Sequence, residues 1–230
     1  LAISQDYLIV GASLEDYNPP GVYDEGRAYI YSYTSGGSPL YSLHSRIPHD
    51  ISPSGQGGSI SGGEFGRAVA ISDTMAFVGA PGESSDAGAV YAYAYNGTNW
   101  VMSPCNNTAT CNRLPGTTED VQGNYQFGAS VAFDGDWLFV GAPGATVNSI
   151  TLVGAVYVYK QSSGVWGLSA TLEPDSTYVA QYLEFGRTIS VSGNYAVVGS
   201  DTRDADPVGG VFVYELVGDT WNEIDTFQGD

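Results

Sequence analysis

The sequence predicts an all-β chain of repeated, four-stranded antiparallel units, and three features carry that reading. One segment recurs: Phe65 to Tyr95 opens with Phe-Gly, passes a Ser-Asp-Thr turn, climbs an apolar run into Gly-Ala-Pro, and resumes after a small acidic loop at Gly88-Ala89-Val90-Tyr91. Phe127 to Tyr159 and Phe185 to Tyr214 repeat it, and the first residues form a degenerate copy without the Phe-Gly. The glycines that close the apolar runs, Gly11, Gly79, Gly141 and Gly199, return about every 60 residues, the mark of a repeat architecture. The runs are also joined by turn chemistry, and the chain is rich in glycine (31) and tyrosine (17) with no stretch that holds the apolar period of a helix.

Each unit divides into four strands. In the first, Leu1 to Ser4, Tyr7 to Ala12, Arg27 to Tyr33 and Leu40 to Ile47 read as strands A to D. The A-to-B links, Ser4-Gln5-Asp6, Ser72-Asp73-Thr74, Asp134-Gly135-Asp136 and Ser192-Gly193-Asn194, are tight-hairpin sequences, which makes A and B antiparallel neighbours. The C-to-D links (Ser35-Gly36-Gly37, Asn96-Gly97-Thr98, Ser162-Ser163-Gly164, Gly218-Asp219) are similar, and three lead to Trp100, Trp166 or Trp221. Hairpin-linked sheets of four strands repeated at this length fit the blades of a β-propeller, with approximate boundaries 1–64, 65–126, 127–184 and 185–230. Four such blades make either part of a larger propeller or a small ring.

Strand B is apolar on both faces, as a strand between neighbouring blades should be. Strand C alternates, with Tyr29, Tyr31 and Tyr33, Tyr91, Tyr93 and Tyr95, and Tyr157 with Tyr159; these rings are expected to pack on the next blade with hydroxyls reaching solvent. Gly79, Gly141 and Gly199 are expected to end strand B where the backbone turns in little room, and Pro81 and Pro143 to stop the ladder. Phe65, Phe127 and Phe185 are expected to wedge between blades, while Gly66, Gly128 and Gly186 permit the bend into strand A.

The string F-G-x-x-V-A followed by V-G-A-P and then G-A-V-Y-V-Y resembles the FG-GAP repeat of the propeller head of integrin α subunits and of many secreted bacterial and algal proteins. The resemblance covers essentially the whole chain. It implies a β-propeller used outside the cell for adhesion or recognition. Integrin-like repeats often carry an Asp-rich calcium loop between A and B; here that loop shrinks to SDT, DGD or SGN, as in the short, calcium-free variety. Asp134 and Asp136 are its nearest remnant, far short of the roughly six to eight oxygens calcium takes. The acidic B-to-C loops (Glu15, Asp16, Asp24 and Glu25; Glu83 and Asp86; Asp201, Asp204 and Asp206) are a weaker alternative, because aspartates also cap turns. No cofactor is expected.

A balance of 25 acidic against 7 basic residues, net −18, argues against partners that need clustered Lys and Arg, nucleic acid and anionic membranes among them. No run reaches the roughly 18 apolar residues of a membrane span. Leu1 falls inside a repeat, so the chain is expected to be a segment of a longer polypeptide. Cys105 and Cys111 flank a short polar loop and read as a disulfide that pins a local excursion, two free buried thiols being the other reading. Asn96-Gly97-Thr98 and Asn106-Asn107-Thr108 are Asn-x-Thr sequons, which makes Asn96 and Asn106 glycan acceptors in a secreted protein.

Nothing assembles a catalytic centre. His44 and His49 stand alone, with Asp50 beside the latter, and the Gly-rich stretch Gly55 to Gly63 lacks the lysine and helix of a phosphate cradle. Two functions follow. One is a non-catalytic extracellular module for adhesion or structural assembly, joining other subunits, copies of itself or glycans. The other is the propeller of a secreted enzyme acting on polysaccharide or glycolipid, whose carboxylate pairs would be invisible in sequence.

Overall fold

The computed structural model describes residues 1–16, 25–48, 62–103, 114, 124–175, 181–201 and 209–228. Sixteen strands form four separate antiparallel sheets of four, each in chain order. The first holds β1 (Ala2–Ile3), β2 (Tyr7–Ala12), β3 (Arg27–Tyr33) and β4 (Tyr41–Pro48); the second β5 (Val69–Ile71), β6 (Met75–Ala80), β7 (Ala89–Tyr95) and β8 (Trp100–Met102). The third holds β9 (Ser130–Asp134), β10 (Trp137–Ala142), β11 (Ala155–Ser162) and β12 (Val165–Leu172), and the fourth β13 (Thr188–Ser192), β14 (Tyr195–Gly199), β15 (Gly210–Val217) and β16 (Thr220–Gln228). One four-residue stretch, Glu83–Asp86, is helical only in name, since Ser84 and Ser85 have φ of +57° and +61°.

Local chemistry sets these boundaries. Asp134 pairs with Trp137 and Ser192 with Tyr195, so each A–B hairpin turns on two residues, led by Gly135 (φ +58°) and Gly193 (φ +56°). A positive φ at that position gives the turn the twist of its strands. Strand D carries an irregularity at the same place in three sheets, between Ile30 and Tyr31, Val158 and Tyr159, and Val213 and Tyr214 of the paired strand C. In the second sheet β8 is short, yet Ser103 donates to Ala92 and Leu114 to Val90 along the same edge of β7. The residues between them, with Cys105, Asn106 and Cys111, lie outside the described ones, but the two ends of that excursion are fixed side by side.

Three cores lie between successive sheets. Tyr7, Ile9, Ala28 and Ile30 of the first sheet meet Val69, Ala76, Val78, Tyr91 and Tyr93 of the second. Phe77, Val90 and Ala92 of the second meet Leu138, Val140, Tyr157 and Tyr159 of the third. Trp137, Phe139, Val156 and Val158 of the third meet Ala196, Val198, Phe212 and Tyr214 of the fourth. The sheets therefore stack as propeller blades do, and among the described residues no core joins the first sheet to the fourth. The inner strands β6 and β10 are buried along their whole length, whereas β2 and β14 are covered on one face only.

The tyrosines of strand C correct the expectation drawn from their alternation. Tyr91 and Tyr93 pack on the preceding sheet, as do Tyr157 and Tyr159, and the hydroxyl of Tyr93 is buried without a hydrogen bond instead of reaching solvent. Period-2 alternation groups these rings on one face but does not say which neighbour that face meets.

Candidate interaction site

The junction between one sheet and the next begins with the Phe-Gly pair. Arg67 N–H donates to the Glu64 carbonyl, Ala129 to Gln126 and Arg187 to Glu184, each closing a four-residue turn whose third residue, Gly66, Gly128 or Gly186, has φ of +93°, +91° or +87°. This is the conformation a type II turn demands of glycine. The turn drives Phe65, Phe127 and Phe185, all buried, into the three inter-sheet cores. Their backbones pair in parallel with Gly26, Gly88 and Gly154 of the preceding unit, and their N–H groups donate to the carbonyls of Glu25, Ala87 and Val153.

The strand-B glycines serve the same junction. Gly79 and Gly141 lie within β6 and β10 and carry no turn; a Cβ on Gly79 would lie 2.1 Å from the Gly128 carbonyl oxygen, and one on Gly141 the same distance from that of Gly186. Close approach between units, not the bend expected from sequence, explains Gly79 and Gly141, whereas Gly199 is the last residue of β14, as expected, and a Cβ on it would meet Thr188 of its own unit. Pro81 and Pro143 follow directly on the ends of β6 and β10, where both are buried.

Aromatic and polar contacts reinforce each junction. Trp100 meets Tyr7 at 88°, Trp166 meets Phe77 at 88°, and Trp221 meets Phe139 at 80°, each ring standing edge-on to an aromatic of the preceding sheet. Ser130 Oγ donates to the Gly186 carbonyl in the third junction (2.7 Å). Asp73 accepts the N–H of Asp6 (3.0 Å), and this bond together with the Ser4 hydroxyl, the larger influence, lowers its pKa. Asp134 accepts the N–H of Gly193 (2.6 Å), so the carboxylate nearest to a calcium loop is engaged as a tie between hairpins. Lys160 joins the third and fourth sheets through Asp219 (2.5 Å) and lies 5.1 Å over the Trp137 ring.

The acidic loops are similarly occupied. Tyr29 donates to Glu15 (2.7 Å), which raises the phenol's pKa, and Arg27 lies 3.4 Å from the same carboxylate. Tyr91 donates to Glu83. Among the described residues no three His, Cys, Asp or Glu side chains group as a metal site would require. Asp201 is exposed, and Asp24, Asp204 and Asp206 lie outside the described residues, as do His49, Asp50 and most of the Gly55–Gly63 stretch. His44, partly buried, sits edge-on to Tyr7 and Tyr95 with its Nδ1 buried and unbonded.

One feature escaped the sequence reading. Glu184 is buried at a left-handed φ of +50° with Arg187 3.8 Å away, and Glu64 and Arg67 repeat the pair at 3.9 Å. The twice-written Glu-Phe-Gly-Arg was the available signal.

Two surfaces remain open. On the first sheet Ile3, Leu8, Tyr31 and Leu43 line one row, and they occupy the face that the other sheets turn toward a predecessor. On the fourth, Tyr195 (52 % exposed), Val197 (38 %) and Val211 (40 %) lie where Trp137 (8 %), Phe139 and Val156 are covered in the third. Asn96 is exposed at the C–D turn, its Oδ1 accepting the N–H groups of Thr98 (3.0 Å) and Asn99 (2.8 Å) while Nδ2 stays outside these bonds.

Blade-like sheets joined by Phe-Gly turns define a β-propeller-type repeat module. The FG-GAP repeat family model matches residues 59–93 and 117–159, which span the first three strands of the second and third sheets, and the chain thus carries FG-GAP repeats there. No curated protein matches it in a sequence search. No helix among the described residues is long and apolar enough to cross a membrane.

Proposed function

We propose that this chain is a non-catalytic extracellular module of the propeller type, which serves adhesion or structural assembly by binding protein or glycan partners. The observation that carries the reading is the pair of open apolar sheet faces at the ends of a stack of FG-GAP blades, since exposed apolar surface of this kind marks an interaction site. Asn96 supports an extracellular setting, because its sequon is displayed on an exposed turn. A Cys105–Cys111 disulfide agrees with the fixed ends of the excursion at Ser103 and Leu114. The carboxylates best placed for other chemistry, Glu15, Glu83 and Asp134, are held by tyrosine hydroxyls or by a backbone N–H.

Intact mass of native material before and after enzymatic removal of N-glycans and reduction tests the setting. Sugar on Asn96 or Asn106 and a two-proton mass change at the cysteines are expected. Assays against polysaccharides, glycolipids and immobilised glycans test the role. Binding without turnover is expected, and catalytic turnover would replace this reading with that of a secreted enzyme's propeller.

A further inference from the structure

The C–D turn of the second sheet carries the one Asn-Gly pair in the chain, Asn96-Gly97. Tyr95 pairs with Trp100, and the Asn96 N–H donates to the Asn99 carbonyl (3.0 Å), so this hairpin turns on Gly97 and Thr98. Asn96 to Asn99 are all exposed, and Gly97 has φ of +92° with nothing within 4 Å of where a Cβ would stand. The matching hairpins of the third and fourth sheets turn on Ser163-Gly164 and Gly218-Asp219, so closing such a turn does not require an asparagine.

The Asn96 side chain is held for chemistry of its own. Its Oδ1 accepts the N–H of Thr98 at 3.0 Å and that of Asn99 at 2.8 Å, which curls the amide along the turn instead of out into water. Two N–H groups aimed at one carbonyl oxygen also stabilise the negative charge that gathers there when its carbon is attacked. The next backbone nitrogen belongs to Gly97, which sets no side chain beside it, and Nδ2 stays outside the bonds that hold Oδ1. We propose that Asn96 is a self-modifying site, which loses its side-chain amide through a cyclic imide formed with Gly97. The Gly97 nitrogen gives its proton to hydroxide and bonds to Cγ of Asn96; the Cγ–Nδ2 bond breaks, and Nδ2 takes a proton from water and leaves as ammonia. Water then opens the ring. Entry at Cγ gives aspartate, and entry at the main-chain carbonyl carbon of Asn96 gives isoaspartate, whose backbone runs through Cβ and Cγ. Either product adds a negative charge and erases the Asn-Gly-Thr sequon, and isoaspartate lengthens a two-residue hairpin by one backbone atom. A glycan on Nδ2 would occupy the leaving group, so sugar attachment and amide loss are alternative fates of one atom. The inference needs only the turn, and an intracellular chain would leave it intact.

The test incubates the full, unglycosylated chain in mildly alkaline heavy-oxygen water and maps its peptides by mass spectrometry, with enzymatic methylation marking isoaspartate. The peptide holding Asn96 is expected to take up heavy oxygen and to give both products, at a rate that rises in proportion to hydroxide, because a resonance-stabilised amide nitrogen attacks only without its proton. Peptides holding Asn194 and Asn222, exposed but followed by Tyr195 and Glu223, are expected to keep their amides over the same period. The rate at Asn96 is expected to be no lower in the native chain than in the chain unfolded by guanidinium, since the turn holds the carbonyl for attack. Gly97→Ala, which sets a methyl beside the attacking nitrogen, is expected to slow the loss. Retention of the Asn96 amide to the extent seen at Asn194 and Asn222 overturns the proposal. Aspartate without isoaspartate, a native rate below the unfolded one, or indifference to Gly97→Ala overturns it as well.

Discussion

The carbonyl oxygen of Gly128 fills the space that a side chain on Gly79 would need: a β-carbon there would stand 2.1 Å away from it. Both partners are backbone, and neither can move without shifting a sheet. Gly79→Ala is therefore expected to destabilise the chain by at least about 3 kcal/mol, the upper range for overpacking. Gly167→Ala, in a strand with nothing within 4 Å, should change stability by less than about 0.5 kcal/mol. Denaturant midpoints of the two variants check the contrast, and equal losses would refute the close-approach account.

Tyr93 keeps a buried hydroxyl without a partner. Removing it in Tyr93→Phe should stabilise the protein at neutral pH by about 1 kcal/mol or more, the desolvation cost of an unmet hydroxyl. Loss of stability would instead reveal a partner for that oxygen.

Stability should also fall in alkali. Burial, aided by Tyr95, pushes the phenol of Tyr7 up to about 12, and burial raises Tyr93, Tyr159 and Tyr214 as well. A raised pKa in the folded state contributes stability that is complete below the unfolded value of about 10 and is lost as pH rises through the folded one. Unfolding midpoints measured from pH 9 to 12 should drop steadily above pH 10, with phenolate absorbance from these four residues appearing together with unfolding. Their titration in the intact fold near pH 10 would contradict the burial seen here.

Phe127→Ala should cost about 3 to 5 kcal/mol, because the ring is fully enclosed between the second and third sheets beside Tyr157 and Tyr159. Limited proteolysis should then cut first between those sheets. Cleavage confined to the chain ends would argue against a junction organised around this ring.

Asp134 offers a test of metal dependence. Its carboxylate already holds the Gly193 N–H, so Asp134→Ala should lose only about 1 kcal/mol, a single exposed charge-assisted bond. Adding millimolar calcium or a chelator should not move the melting temperature of the native protein. A calcium-dependent rise abolished by the substitution would restore the calcium reading of this loop.

Strand order, hairpin turns and the fourfold repeat were legible because turn residues and apolar runs are local properties, and Tyr7–Ala12 and Arg27–Tyr33 stand where their sequences place them. Relations between units were less so. Alternation put Tyr91 and Tyr93 on one face yet could not say that the face looks backward. Gly79 gave the signal of a turn although its constraint is a carbonyl about 50 residues ahead in the sequence, in a turn it does not belong to. Asp134, with Asp136, looked like the remnant of a cation loop because sequence does not show that a neighbouring hairpin offers Asp134 its N–H.

The parallel pairing of Phe65 with Gly26, repeated by Phe127 with Gly88 and Phe185 with Gly154, means that the second and third units each supply both plug and socket from within their own repeat. Duplicating the coding stretch for one unit therefore lengthens the stack without inventing any new complementarity. Such a chain can grow or shrink in evolution by whole units, while its loops diverge independently.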